Sequence, residues 1–274
     1  MIISNEAIKR IYSNHKKMQT KLKISFLLAL LFVGLLSQGQ NGQSTAVPTK
    51  TIEQLQKENE QFLRVKNDWP NFGRYREANE RLGLPAADEK RVVFMGNSIT
   101  DGWIRISPEF FEGKPYVDRG ISGQTTPQML VRFRADVINL KPKVVLILGG
   151  TNDIAGNTGP STLEMIEDNL ASMAELAKAN EIKVILCSIL PVFDYPWKPG
   201  LEPAGKIITI NKWIKEYAAN HGFDYLDYFS SVVDDRQGMK IEYSKDGVHP
   251  NKEGYKVMEV LAEKAIKKAL KNEK

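Results

Sequence analysis

From residue 91 onward the chain alternates short apolar runs with longer amphipathic stretches, a rhythm that few architectures can accommodate. The runs at 91–95, 116–119, 144–148, 184–188 and 225–228 read as strands. Three of them are dense in Val, Ile and Leu without polar alternation, which suits parallel strands covered on both faces. The stretches at 127–140, 161–180, 204–220 and 252–271 have helical spacing. In the last, Val257, Leu261, Ile266 and Leu270 mark the buried stripe, and lysines crowd the C-terminal end as the helix dipole favours. Repeating strand-helix units predict an α/β protein, a three-layer α/β/α sandwich around a five-stranded parallel sheet. Two charged helical segments, 51–66 and 72–82, precede the first strand and are expected on the outside of a single domain spanning 51–274, with 51–90 as its helical extension.

The first 40 residues have a different composition. Lys9, Arg10, Lys16, Lys17, Lys21 and Lys23 precede an apolar run of 13 residues, 24–36, followed by Ser37-Gln38-Gly39-Gln40. That order is the pattern of a secretory signal peptide, and the run is short of the roughly 20 residues a membrane-spanning helix needs. Residues 41–50 read as a linker. Loss of 1–40 removes six basic residues and one acidic residue from the 38 and 33 in the sequence and leaves 32 of each. The net charge of +5 thus belongs to the leader, so no nucleic-acid partner is expected, and the short apolar run predicts no stable membrane anchor. The single cysteine, Cys187, lies in an apolar run and reads as a small buried hydrophobe. The expected location is secreted or periplasmic.

Parallel sheets of this kind bind ligands beyond the carboxyl ends of their strands, and polar residues gather at those positions. Ser98 follows the first strand, Gly123 the second and Asn152 the third, while Asp246 and His249 share the loop after the fifth. A serine hydroxyl needs a neighbouring base to become a nucleophile, and the base needs a carboxylate to fix its tautomer. His249 is the candidate base: His15 falls in the leader, and His221 precedes Gly222 in a helix-capping context. Asp246, three residues earlier in a Gly- and Pro-containing loop, can reach the imidazole within one turn. Each residue also has a structural reading, with Ser98 as a helix N-cap, Asn152 in a turn and Asp246 as a turn cap. At a helix start the Ser98 N–H can serve as an oxyanion donor.

Taken together, Gly96-Asn97-Ser98-Ile99-Thr100, Ile121-Ser122-Gly123-Gln124-Thr125, Gly149-Gly150-Thr151-Asn152-Asp153 and Asp246-Gly247-Val248-His249-Pro250 resemble, in this order, the four blocks of the SGNH (GDSL-type) serine hydrolases. The resemblance covers roughly 91–270 and implies a flavodoxin-like SGNH hydrolase fold. It also implies a Ser98-His249-Asp246 triad, and an oxyanion hole built from the N–H groups of Ser98 and Gly123 and the Asn152 side chain. The platelet-activating-factor acetylhydrolase-like branch fits a small acyl group. Two positions depart from the family pattern, Asn97 where Asp usually precedes the serine and Asp118 where Asn often precedes Arg-Gly.

Other motifs are weaker. Residues 200–206 mimic the start of a phosphate loop but lack the following Ser or Thr, and Pro203 removes an N–H from the cradle. No Gly-x-Ser-x-Gly elbow occurs, and the few His and Cys residues argue against a metal. No cofactor is expected. Trp103, Phe193, Tyr195 and Trp197 form a candidate aromatic wall for a sugar ring, with core packing as the alternative for each. The resulting expectation is a secreted serine esterase acting on small acyl esters, an acetylated carbohydrate foremost. A lysophospholipase or thioesterase using the same residues and a non-catalytic glycan-binding protein are the rivals.

Overall fold

The computed structural model describes residues 50–271, so the expected leader and nearly all of the linker lie outside the described residues. By compactness the described residues divide after Gln56, and the unit that begins at Lys57 contains the whole sheet. A helix, α1 (Ile52–Asn67), is followed by a 3₁₀ turn at Phe72–Arg74 and a short helix, α2 (Arg76–Leu82). The expected helix at 72–82 is interrupted at Tyr75, whose φ of −115° and ψ of 3° are not helical.

The sheet comprises β1 (Val92–Gly96), β2 (Tyr116–Gly120), β3 (Val144–Leu148), β4 (Lys183–Cys187) and β5 (Asp224–Leu226). All neighbours pair parallel, in the order β2-β1-β3-β4-β5. The crossovers are α3 (Ser98–Ile106), α4 (Thr126–Asp136), the single turn α5 (Thr151–Ile154) with α6 (Leu163–Ala179), and α7 (Pro203–His221). After β5 come the single turn α8 (Phe229–Val232) and the long α9 (Lys252–Lys271). The expected helix at 127–140 ends early, because Val137 leaves helical geometry and a 3₁₀ turn, Ile138–Leu140, completes the segment. Among the described residues no helix is long and apolar enough to cross a membrane.

Alternate strand residues face opposite ways, and the two faces carry separate cores. Val93, Met95, Val145 and Ile147 pack with Met129 and Phe133 of α4 and Ile166 and Leu170 of α6. Val92, Phe94, Val144 and Leu146 pack with Trp103 of α3 and with Tyr255 and Met258 of α9. Sequence runs that are apolar on both faces follow from this arrangement.

Two expected wall residues belong to these cores. Trp103 is 2% exposed, stacked on Phe110 at 5.0 Å between ring centres and edge-on to Phe94 at 5.6 Å. It lies behind the sheet's rim because it sits on the inward stripe of α3, one turn beyond Ile99. Tyr195 is fully buried, donating its hydroxyl to the Thr151 carbonyl at 2.8 Å and sharing a 2.9 Å bond with the Thr151 hydroxyl. Neither residue can present a face to a ligand.

Candidate active site

Strand register sets the stage. Gly96 pairs with Gly120 on one side and with Leu148 on the other, so the loops after β1, β2 and β3 leave the sheet from one row. The order of strand connection also reverses here, since β2 and β3 flank β1 on opposite sides, and such switch points open a crevice at the strand ends. Gly96 and Gly120 are required for close approach. A methyl group on Gly120 would lie 2.1 Å from the Asp101 backbone nitrogen, and one on Gly96 would lie 2.0 Å from the Thr100 hydroxyl.

The N-cap of α3 is Asn97, whose side-chain oxygen faces the Ile99 N–H at 3.5 Å, and Ser98 is the first helical residue. The capping role considered for Ser98 thus falls to its neighbour. Ser98 is left with its hydroxyl free to project from the helix start, where unsatisfied N–H groups and the dipole favour negative charge.

Across the crevice, Ser98 Oγ lies 3.0 Å from His249 Nε2, and His249 Nδ1 lies 2.7 Å from Asp246 Oδ2. The other Asp246 oxygen accepts from the backbone N–H groups of Val248 at 2.9 Å and His249 at 2.8 Å. Partial burial pushes this carboxyl's pKa up, but the His249 and Val248 N–H groups and the imidazole outweigh it and hold the pKa at about 2. Asp246 is therefore ionised at any ordinary pH and selects the tautomer with the proton on Nδ1, leaving Nε2 to accept from Ser98. Gly247, at φ 78°, makes the tight turn. Ser244, which sequence reasoning missed, accepts from the Gly247 N–H at 2.9 Å; its hydroxyl lies 2.8 Å from the His249 carbonyl and 3.1 Å from Asp246. Asn251 then caps α9, accepting from the N–H groups of Glu253 at 2.9 Å and Gly254 at 3.1 Å. The Tyr255 hydroxyl ties α9 to α3 through the Ile99 carbonyl at 2.7 Å.

Gly123 has a φ of +80°, a conformation that glycine adopts without strain, with no atom within 4 Å of a hypothetical Cβ. The Asn152 side chain is buried and donates one amide hydrogen to the Gln124 carbonyl at 2.9 Å, which fixes its plane and leaves a second hydrogen. Asp153 does not face the crevice. Its carboxylate takes the Thr126 N–H at 3.0 Å and the Thr126 hydroxyl at 2.6 Å, tying the third loop to the start of α4, and burial raises its pKa to about 6.

Of the remaining wall residues, Trp197 is 47% exposed and its ring centre lies 6.1 Å from that of His249. Phe193 is also exposed, with the Arg236 guanidinium 5.2 Å above its ring. Among the described residues no cluster of three or more His, Cys, Asp or Glu side chains could hold a metal ion. Chemically, the crevice joins a hydroxyl, a base with its carboxylate, and N–H donors at a helix start, an arrangement suited to acyl transfer.

The sequence profile of the GDSL-like lipase/acylhydrolase family matches residues 94–257, more than half of the chain. The chain belongs to that family. A GDSL-like lipase of Bacteroides thetaiotaomicron is 49% identical and superposes with a TM-score of 0.72, covering 73% of this chain and 98% of that one. An acetylxylan esterase of Xylanibacter ruminicola is 29% identical over 223 residues, or 68% of this chain and 45% of the esterase. Esterase TesA of Pseudomonas aeruginosa is 32% identical over 161 residues, 57% of this chain and 73% of TesA. The chain thus spans less than half the length of the acetylxylan esterase it matches.

Proposed function

We propose that this chain is a serine esterase that removes a small acyl group, an acetyl foremost, from an esterified carbohydrate. The observation that carries the reading is the continuous hydrogen-bonded line from Ser98 Oγ through His249 to Asp246, with separations of 3.0 and 2.7 Å. Ser98 Oγ attacks the ester carbonyl as its proton passes to His249 Nε2. The resulting imidazolium is stabilised by the ionised Asp246. Negative charge on the tetrahedral oxygen is met by the N–H groups of Ser98 and Gly123 and the free amide hydrogen of Asn152. His249 returns the proton to the departing alcohol, and water, activated by the same imidazole, releases the acid from Ser98.

The acyl and alcohol preference rests on different support. The name of the Xylanibacter relative points to acetylated xylan, and the exposed Trp197 beside His249 offers a flat apolar face on the side where the alcohol would leave. Export is supported by the leader pattern in 1–40.

The test is acetate release from acetylated xylo-oligosaccharides, beside p-nitrophenyl acetate as a control and a series of longer acyl esters. Release from oligosaccharide and control, lost in Ser98→Ala with the melting temperature kept, is the expected result. A stable Ser98→Ala protein that retains turnover would sink the assignment. A preference for acyl chains of eight or more carbons would instead place the chain with the lysophospholipases and thioesterases.

A further inference from the structure

The parts of the crevice come from four separate loops, and one question is what holds the loop bearing Gly123 at its distance from Ser98. Within residues 120–124, the Gly96 carbonyl accepts from the Ile121 N–H at 3.2 Å and the Asn157 side chain donates to the Gly123 carbonyl at 3.2 Å, while two further supports come from a segment that lies before the first strand and outside the family match of 94–257. The Gln124 side chain donates to the Pro70 carbonyl at 2.7 Å, and Gln128, one turn on, donates to the Trp69 carbonyl at 2.8 Å. The Tyr75 hydroxyl donates to the Gly120 carbonyl, and Arg74 pairs with Asp101 at 3.4 Å, the same carboxylate that accepts from the Ser122 hydroxyl. Asn79 completes the set, donating to Asp136 at 2.8 Å and accepting from Arg119 at 2.8 Å.

These bonds lead inward. Arg132, fully buried, donates Nε to the Gln124 side-chain oxygen at 2.5 Å and Nη2 to the Gly96 carbonyl at 2.9 Å, two residues before Ser98. The Gln124 carbonyl in turn accepts the Asn152 amide. Gln124 is thus the node where the pre-strand segment, the nucleophile loop and the Asn152 loop meet, and a loop hydrogen-bonded on each side has little freedom to drift. Catalytic rate is sensitive to such drift, since a displacement of about 1 Å can cost about a hundredfold.

We propose that residues 69–79 are a positioning element of the ester-cleaving site, holding the 120–124 turn so that the Gly123 N–H and the Asn152 amide converge on the oxygen of the attacked carbonyl. This rests on the reading of Ser98, Gly123 and Asn152 given above. The segment touches no reacting atom. Its effect is on the transition state, where oxyanion donors matter most, and not on substrate binding.

The test uses the full chain and two conservative variants. Tyr75→Phe removes only the hydroxyl, which donates to the Gly120 carbonyl and also lies 3.4 Å from Asp118 Oδ1. Gln124→Glu keeps an acceptor for Arg132 but turns a carboxylate toward the Pro70 carbonyl. Tyr217→Phe, whose hydroxyl bonds Glu175 at 2.8 Å away from these loops, is the control. With p-nitrophenyl acetate, and with active sites counted by a fluorophosphonate, kcat per titrated site should fall about tenfold or more in Tyr75→Phe and Gln124→Glu at unchanged KM. Affinity for a trifluoromethyl ketone, whose serine adduct carries the oxyanion, should fall in parallel, while the control matches the parent. A merely structural role would lower the melting temperature or the titratable fraction and leave kcat per site within about twofold of the parent, and that result overturns the proposal. If Ser98→Ala retains activity, the underlying reading fails first. If Ser98→Ala is inactive and both variants turn over normally, only the positioning role fails.

Discussion

Asn152 shows how little separates a turn residue from a candidate catalytic one. Its amide has two hydrogens; the Gln124 carbonyl takes one, and in the proposed reaction the other meets the oxygen of the attacked carbonyl. Asn152→Ala should therefore lower kcat by about a hundred- to a thousandfold with KM little changed, read from steady-state kinetics on p-nitrophenyl acetate. An unaltered kcat would remove Asn152 from the oxyanion hole. Asp118 poses the opposite problem, a carboxylate where the family often has Asn. One oxygen accepts from the Gly120 N–H at 2.7 Å, while the other is buried without a partner. Burial is the main cause that raises its pKa to about 7, and the nearby Asp101 adds to it. A carboxyl whose pKa is higher in the folded chain favours folding at pH below its unfolded value near 3.9, and that advantage is lost as pH rises through about 7. Asp118→Asn removes the titration, so its melting temperature should gain on the parent between about pH 4 and pH 7 and hold that gain above. Melting curves at pH 4 and pH 8 check this; an equal difference at both values would show that Asp118 does not ionise in that range.

At the scale of elements, the strand-helix alternation is what makes the sheet readable from the sequence. Val144–Leu148 and Lys252–Lys271 fall where apolar density and helical spacing put them, because long uniform patterns admit one geometry. The misses have local causes. Val137 and Tyr75 break helices whose apolar spacing runs on past them, and spacing does not report one residue's φ and ψ. Ser98, Gly123, Asn152, Asp246 and His249 stood out as candidates through the resemblance of their four blocks to the family, whereas Ser244, Arg132 and the linking role of Gln124, itself in the second block, did not. Arg132 and Gln124 work through contacts 36 and 54 residues away in the chain, on Gly96 and Pro70, while Ser244 acts through its hydroxyl within a loop that spacing does not resolve. The one available signal was Arg132 itself, a charge beside Phe133 on the buried stripe of α4. Two glycines of the 120–124 turn separate steric need from conformational need. Gly120→Ala puts a methyl group within 2.1–2.8 Å of the Asp101, Thr100 and Asn97 backbone, where no rotamer can relieve it. It should cost about 1–3 kcal/mol or more and displace the start of α3, with activity falling alongside the melting temperature. Gly123→Ala meets no atom and should cost only the strain of its positive φ, about 1–2 kcal/mol. Paired urea titrations of the two variants would test the order, and a Gly123→Ala loss exceeding that of Gly120→Ala would refute it.

At the scale of the whole molecule, the sheet separates two jobs that the sequence had merged. The face covered by α3 and α9 holds an aromatic cluster of Phe94, Trp103, Phe110, Phe111 and Tyr255, and the crevice lies at the sheet's C-terminal edge. Trp103 follows Ser98 by five residues in sequence, yet helical geometry turns it inward, and its indole N–H reaches Glu259 of α9 at 3.3 Å. By contrast Trp197, nearly a hundred residues downstream of Ser98, comes beside His249 with almost half its surface open. The two tryptophans should therefore fail in different currencies when truncated. Trp103→Ala leaves a large cavity in a core with little room to collapse and should cost about 3–5 kcal/mol, which is roughly 2–4 °C of melting temperature per kcal/mol in a chain of this size. Well below its melting point the surviving protein should show the parent's KM. Trp197→Ala removes a half-exposed ring, so stability should change by about 1 kcal/mol or less, while KM for the carbohydrate ester rises and turnover of p-nitrophenyl acetate stays near that of the parent. Melting curves and KM values for both variants on both substrates form the test. A KM change in Trp103→Ala without loss of stability would return that residue to the binding wall, and an unchanged carbohydrate KM in Trp197→Ala would leave the wall without its remaining tryptophan.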